Sequence, residues 1–209
     1  MHVSWYFDVI SPFAYLQLPK VLALRERVPV TPIPILFAGV LDRIGQIGPA
    51  EIPVKRLFTY RFVQWAAQQQ GQTMVFPPKH PFNPLHLLRL SIACDNRWDA
   101  VQAIFEHVWK HGRAGDTLDA IRGLAEQLGI DDVATATAEP AVKAMLRTNT
   151  ETALADGVYG VPTIRIGDEK FWGNDATGLA LAYLDDPKLF TSGEFMRLEQ
   201  LPIGVERKR

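Results

Sequence analysis

The sequence predicts an α/β fold in which a helical domain interrupts a small sheet domain. Three observations carry this expectation. An apolar strand near the N-terminus runs straight into a helix, about a hundred residues after Gly39 show helical periodicity with little strand character, and strand character returns late in the chain around a tight turn. The expected partition is a discontinuous sheet domain, residues 1–39 and 140–209, with residues 40–139 as the helical insertion.

His2 to Phe7 is rich in aromatic and branched residues, which suits a buried strand. Ser11-Pro12 then starts a helix without a linker: Ser11 is a favoured N-cap, Pro12 suits the first helical position, and Tyr15, Leu18 and Leu22 recur at helical spacing towards Arg27. Val28 to Leu36 reads as a second strand. It holds Pro29, Pro32 and Pro34, each lacking a ladder donor, so a short strand or one near an edge is expected. Strand, helix and strand of this size predict a βαβ unit with a right-handed crossover.

Gly45, Gly48, Pro49 and Pro53 mark the loop that opens the helical region. Three apolar stripes follow, each expected to be core packing: Phe58, Phe62 and Trp65 before Gly71; Val101, Ile104, Phe105, Val108 and Trp109 before Gly112; and Leu118, Ile121, Leu124 and Leu128 before Gly129. The irregular run from Phe76 to Pro84 contains four prolines and reads as a loop packed against the other domain. Thr163 to Ile166 and Lys170 to Trp172 form a hairpin around Gly167-Asp168-Glu169, and a last helix runs from about Thr177 to Leu184.

Composition narrows the classes of function. With 47% hydrophobic and 22% charged residues, the 209-residue chain is long enough to bury a sizeable core. A formal net charge of −1 offers no broad attraction to nucleic acid or to an anionic membrane, and the short Glu206-Arg207-Lys208-Arg209 run does not alter that. No apolar run approaches about 18 residues, so no membrane span or signal peptide is expected. Cys94 is the one cysteine; it falls in an apolar helical pattern, reads as a buried thiol, and fits a reducing, cytoplasmic compartment.

The chemistry points to Ser11. Helix first-turn N-H groups aimed at whatever lies over it would stabilise an anion there, although an N-cap role alone also explains a serine at this place. A second unusual place is Gly160-Val161-Pro162-Thr163, where a proline stands at a strand entrance. Frequency alone favours a trans Val161-Pro162 bond; a cis bond would leave the Val161 backbone free for an extended ligand. His107 and His111 stand four apart on a helix without HExxH or an acidic third ligand, so they read as surface histidines and no metal is expected. Ser11 lacks the G-x-S-x-G elbow of a serine hydrolase.

Tyr6-Phe7-Asp8, Ser11-Pro12-Phe13, Tyr15-Leu16, Val75-Phe76-Pro77, Gly160-Val161-Pro162-Thr163 and Trp172-Gly173-Asn174-Asp175 occur in order over nearly the whole chain. Together they resemble the 2-hydroxychromene-2-carboxylate isomerase family, relatives of the kappa-class glutathione transferases. That resemblance implies a thioredoxin-like domain with an inserted all-helical domain, the DsbA-like form of the fold. It also implies glutathione as cofactor, a small aromatic carboxylate as substrate, a homodimer, and a cis Pro162.

In redox members of the fold two cysteines flank the helix start, but Ser11 and Ala14 occupy those places here, so disulfide cycling is not expected. The resemblance makes Ser11 the hydrogen-bond donor to the glutathione sulfur and Val161 the backbone clamp on its cysteinyl moiety. Asn174 and Asp175 would receive the γ-glutamyl end, although either could instead cap the last helix. Asn83 and Lys55 are expected on the substrate side, with a solvated lysine as the plainer reading of Lys55. Asp8 has two readings, orienting the site loop or ending the strand. Two positions depart from the relatives: Ala176 follows Trp-Gly-Asn-Asp where many carry arginine, and Arg61 or a neighbour replaces an aspartate before Trp65-Ala66. The rival readings are a kappa-like glutathione transferase or peroxidase, and a non-catalytic thioredoxin-fold binding protein.

Overall fold

The computed structural model describes residues 2–205, and the Glu206-Arg207-Lys208-Arg209 run lies outside them. The chain opens with β1 (Val3–Phe7), α1 (Pro12–Arg25) and β2 (Val30–Pro34). Next come α2 (Phe37–Ile44), a short 3-10 turn, α3 (Pro53–Gln69), α4 (Leu85–Ala93) and α5 (Trp98–Phe105), which continues as a π-helical stretch, Glu106–Lys110. Then α6 (Leu118–Gln127), α7 (Val133–Ala138) and α8 (Pro140–Ala155) lead to the hairpin of β3 (Thr163–Ile166) and β4 (Glu169–Trp172). The last helices are α9 (Thr177–Asp185) and α10 (Gly193–Leu198). No apolar stripe announces α10, which buries none of its residues.

The sheet order is β2-β1-β3-β4, with β1 parallel to β2 and antiparallel to β3. All five β1 residues are buried, as a central strand covered on both faces requires. Trp5 pairs with Pro32 on one side and Ile164 on the other. β2 is five residues long and lies at the edge, the position its prolines demand.

The helical segment and the sheet share one core. Phe105 packs against Trp5 and Phe7 with ring centroids 5.8 and 5.5 Å apart, and Trp98 stacks on Trp5 at 5.9 Å. Val101, Ile104, Phe105, Val108 and Trp109 are fully buried, as their stripe predicts. Aromatic pairs of this kind add about 1 kcal/mol each to what burial of their area supplies.

Two expectations fail here. Phe58, Phe62 and Trp65 are not core residues: they are 71%, 42% and 54% exposed. α3 buries Val63, Ala66 and Ala67 instead, a small-residue stripe that brings its backbone close to its neighbours. Both faces of α3 carry the same helical period, and periodicity alone does not say which is covered. His107 is not a surface histidine either, being 5% exposed with Nε2 2.8 Å from the Ala114 carbonyl oxygen. His107, Val108 and Trp109 are buried together on the π-helical stretch. His111 is exposed, as expected.

One polar side chain joins the layers. Gln17 on α1 is fully buried; its Oε1 accepts from Trp5 Nε1 at 2.8 Å, and its Nε2 donates to Gly173 O at 2.9 Å and to Thr177 Oγ1 at 3.0 Å. Replacing it by an apolar residue strands these partners away from water, at about 1–3 kcal/mol for each group left unpaired. Gln17→Leu is expected to cost about 3 kcal/mol in urea unfolding; a loss under about 0.5 kcal/mol would show that Trp5 and Gly173 find other partners.

Candidate active site at the β1 to α1 junction

β1 gives way to α1 through Asp8-Val9-Ile10-Ser11, and several groups of this turn find partners from distant parts of the chain. Ser11 N donates to Asp8 O at 3.0 Å. Asp8 is fully buried; its Oδ1 accepts from Ile10 N at 3.0 Å and its Oδ2 from Phe37 N at 2.9 Å, at the start of α2. Trp109 Nε1 donates to Val9 O at 2.7 Å. His80 Nε2 lies 2.9 Å from Ile10 O. Both readings of Asp8 therefore hold at once, since it ends the strand and orients the site loop.

His80 and Trp109 were not legible as site residues. Ile10 O only accepts, so His80 Nε2 carries a proton, and burial lowers the pKa of the ring. The Tyr60 hydroxyl donates to His80 O at 2.7 Å and also lies 2.9 Å from Nδ1. Phe76, Phe82 and Trp109 surround the imidazole. A histidine among prolines and aromatics was the available signal; its partner, Ile10, is seventy residues away.

Ser11 is the N-cap of α1 with φ −85 and ψ 114, and its Oγ accepts from Ala14 N at 3.3 Å. Pro12 occupies the first turn. The same Oγ lies 3.5 Å from Val161 O, at the long limit of a hydrogen bond. Val161-Pro162 is cis, as the resemblance implied and against the expectation from frequency. His80-Pro81 is cis as well.

The two late motifs are locked together beside Ser11. Gly173 N donates to Pro162 O at 2.8 Å, and a Cβ on Gly160 would lie 2.4 Å from Trp172 Nε1, so only glycine admits the indole there. Gly173 has φ +99, and a Cβ on it would meet Asp175 Oδ1 at 2.5 Å. Tyr6 Oη and the Arg165 guanidinium converge on Asp156 Oδ2 at 3.0 and 2.7 Å, fixing the segment that leads into Val161. Neither Asn174 nor Asp175 caps α9: its N-cap is Ala176, without a side-chain bond. Asn174 Oδ1 instead accepts from Lys20 Nζ at 2.9 Å, and Asp175 is exposed.

The structure thus brings Ser11, Val161, Pro162, Asn174 and Asp175 together through direct contacts or chain neighbours. It does not bring Lys55 or Asn83 into hydrogen-bond contact with them. Lys55 is exposed in the first turn of α3, and Asn83 is exposed with Oδ1 accepting from Leu85 N at 3.1 Å, at the start of α4. Arg61 is exposed on α3. A cavity of about 400 Å³, lined by residues including His86, Asp116, Arg122 and Asp132, shares no residue with the cluster. Cys94 is 2% exposed and burial pushes its thiol pKa up, so it does not replace the missing cysteines. No helix among the described residues is long and apolar enough to cross a membrane.

Burial pushes the Asp8 carboxyl up to about 7, overriding the two backbone N-H groups that favour its anion. Folded Asp8 therefore keeps a proton at pH values where the unfolded side chain, with its ordinary value of 3.8, has released it. Its contribution to stability is whole below about pH 4 and is lost as the pH rises through about 7. Urea midpoints are expected to fall between about pH 5 and about pH 8, and Asp8→Asn to remove that fall; an unchanged pH slope in the variant would rule Asp8 out as its source.

The family description "DSBA-like thioredoxin domain" matches residues 2–184. A 2-hydroxychromene-2-carboxylate isomerase of Pseudomonas putida is 31% identical over 183 residues, covering 84% of this chain and 90% of that one. The glutathione S-transferase kappa 2 of Caenorhabditis elegans is 24% identical, covering 88% and 92%. A solved structure of selenomethionine 2-hydroxychromene-2-carboxylate isomerase superposes with a TM-score of 0.76 at 28% identity, covering 92% of this chain and 100% of that one. By domain match, relatives and fold, the chain belongs to the DsbA-like thioredoxin family, within its 2-hydroxychromene-2-carboxylate isomerase group.

Proposed function

We propose that the protein is a glutathione-dependent cis-trans isomerase acting on 2-hydroxychromene-2-carboxylate, or on a related small aromatic carboxylate, to give the trans-o-hydroxybenzylidenepyruvate type of product. The observation that carries this reading is the Ser11 hydroxyl at the start of a 14-residue helix, 3.5 Å from the Val161 carbonyl and joined through Pro162 to the Gly173–Asp175 loop. The named isomerases and the kappa transferase among the relatives support it.

The residues fit a thiol tripeptide. Bound at Ser11, glutathione would supply the nucleophilic sulfur for reversible addition to a conjugated, ring-opened substrate. Ser11 gives up a long bond to Val161 O at little cost and turns its proton to the sulfur. The α1 N-terminus adds its partial positive charge there, so thiolate is favoured over thiol at neutral pH. Val161 offers its backbone to the cysteinyl moiety, and Asn174 and Asp175 receive the γ-glutamyl end. Ser11 attacks nothing; it poises a nucleophile that belongs to another molecule.

The exposed aromatic face of α3 supports an aromatic second substrate. Phe62 comes within 6.3 Å of Phe13, centroid to centroid, beside the helix start. Lys55 lies on the same helix and is proposed, with Asn83, to meet the substrate's carboxylate end. A cytoplasmic homodimer completes the reading, with sedimentation velocity as the test of the dimer. The kappa-like alternative keeps the whole glutathione site and differs in taking an electrophile or a peroxide; turnover of those and none of the chromene would favour it.

Titration calorimetry is expected to show glutathione binding at millimolar concentration or below, and no heat at that concentration would leave only the non-catalytic binding protein. Ser11→Ala is expected to raise the pKa of the bound thiol by about one unit or more, as loss of a hydrogen bond to a charged group implies. The readout is the ultraviolet absorbance of bound thiolate at neutral pH, and an unchanged thiolate fraction would remove Ser11 from the mechanism.

A further inference from the structure

His80 sits against the peptide bond that joins Ile10 to Ser11, and the proposed chemistry makes no use of it. Its Nε2 donates to Ile10 O at 2.9 Å, and the amide of that same peptide is Ser11 N, which donates to Asp8 O at 3.0 Å. Through its other nitrogen the ring meets a single hydroxyl. Tyr60 Oη lies 2.7 Å from His80 O and 2.9 Å from Nδ1.

A hydroxyl has one proton to give. Neutral His80, with its proton on Nε2, presents Tyr60 with two acceptors, the carbonyl oxygen and Nδ1, so one of the two contacts has no proton between its atoms. Imidazolium closes all three: Nε2 donates to Ile10 O, Nδ1 to Tyr60 Oη, and Tyr60 Oη to His80 O. The hydrogen-bond partners therefore suit the cation, and the apolar surroundings oppose it. Phe76, Phe82 and Trp109 enclose the ring. Burial lowers its pKa, the bond to Ile10 O raises it, and the Arg56 charge lowers it further.

The titratable neighbours come from three elements. α3 brings Tyr60 and Arg56, the proline-rich run brings the exposed Lys79, and the turn brings Asp8, whose Oδ1 accepts from Ile10 N at 3.0 Å and whose carboxyl burial pushes up to about 7. The π-helical stretch meets the ring through Trp109, which does not titrate. A ring balanced in this way responds to charge placed beside it. An anion over Ser11 is one residue from the carbonyl that His80 binds, and a nearby opposite charge favours the cation.

We infer that His80 takes up a proton when a thiolate forms over Ser11, so that the S-H proton lost by the ligand is matched by an N-H proton gained at His80 Nδ1. The proton passes through water, and the occupied site keeps its net charge. His80 acts through the Ile10–Ser11 peptide and is a positioning residue; the cation it becomes adds to the partial positive charge of the α1 N-terminus. The inference rests on the glutathione reading above and adds to it the group that balances the anion.

The test counts protons. Titration calorimetry at neutral pH in buffers of different ionisation enthalpy gives the number released when glutathione binds, and S-methylglutathione, which has no thiol proton, gives the background. A thiol with an ordinary pKa of about 8.5 is protonated at neutral pH and releases close to one proton on binding as thiolate. The unaltered protein is expected to release less than about half a proton, and His80→Gln, which keeps a donor for Ile10 O and an acceptor for Tyr60, about one. Imidazole nitrogen shifts measured by NMR on the unaltered protein need no variant: His80 is expected to be neutral with S-methylglutathione bound and imidazolium with glutathione bound. A ring in the same state in both complexes, or equal proton release by the unaltered protein and His80→Gln, would overturn the inference. Extra release confined to Asp8→Asn would assign the proton to Asp8 and overturn it as well. No glutathione binding by the unaltered protein would sink the underlying reading, whereas binding as thiolate without proton uptake by His80 would sink this inference alone.

Discussion

The chain passes from a central strand into a helix in four residues, and that turn lies inside the protein. Backbone groups taken out of water must be paired, and a tight turn cannot pair them all with itself. Side chains supply the partners: Asp8 accepts from the neighbouring Ile10 N and from the distant Phe37 N, Trp109 reaches Val9 O from the π-helical stretch, and His80 reaches Ile10 O from the proline-rich run. The helical segment is thus tied to the sheet by polar bonds at one point and by the Trp5, Phe7, Phe105 and Trp98 cluster at another. Ser11 inherits its position from these bonds, none of which involves Ser11 itself.

The same junction preserves the thioredoxin-type helix start in a chain that lacks the two flanking cysteines. The helix start remains, and its partial positive charge favours an anion placed over Ser11. With Ser11 and Ala14 at the two flanking places the scaffold keeps the means to stabilise a thiolate and loses the means to store a disulfide. Cys94, buried at the end of α4, has no access to that place.

Much of this was legible in the sequence wherever local chemistry decides structure. The Ser11-Pro12 cap, the β3 to β4 hairpin and the edge placement of β2 each follow from residues within a few positions of one another. What could not be read were choices made by tertiary packing. Phe58, Phe62 and Trp65 share a period with Val63, Ala66 and Ala67, and only the neighbours of α3 decide which set is covered. His107 is buried on a π-helical stretch that no residue in Glu106–Lys110 announces. The candidate site residues carried by motifs, Ser11, Val161, Pro162, Asn174 and Asp175, were proposed by resemblance; His80, Trp109 and Lys20, which contact or flank them, belong to no motif and emerge only from contacts across long stretches of chain.

The prolines of β2 have an effect beyond fixing its place at the edge. Ile35 N bonds to Phe7 O, so by the alternation of a strand the N-H groups of Thr31 and Ile33 point inward to β1, and positions 32 and 34 point outward. Pro32 and Pro34 stand at those outward positions, so they cost the sheet nothing and leave its rim without donors there. A strand from another molecule finds no ladder to extend along this edge, which guards the protein against edge-to-edge aggregation and domain exchange. Any assembly that it forms must be built from other surfaces.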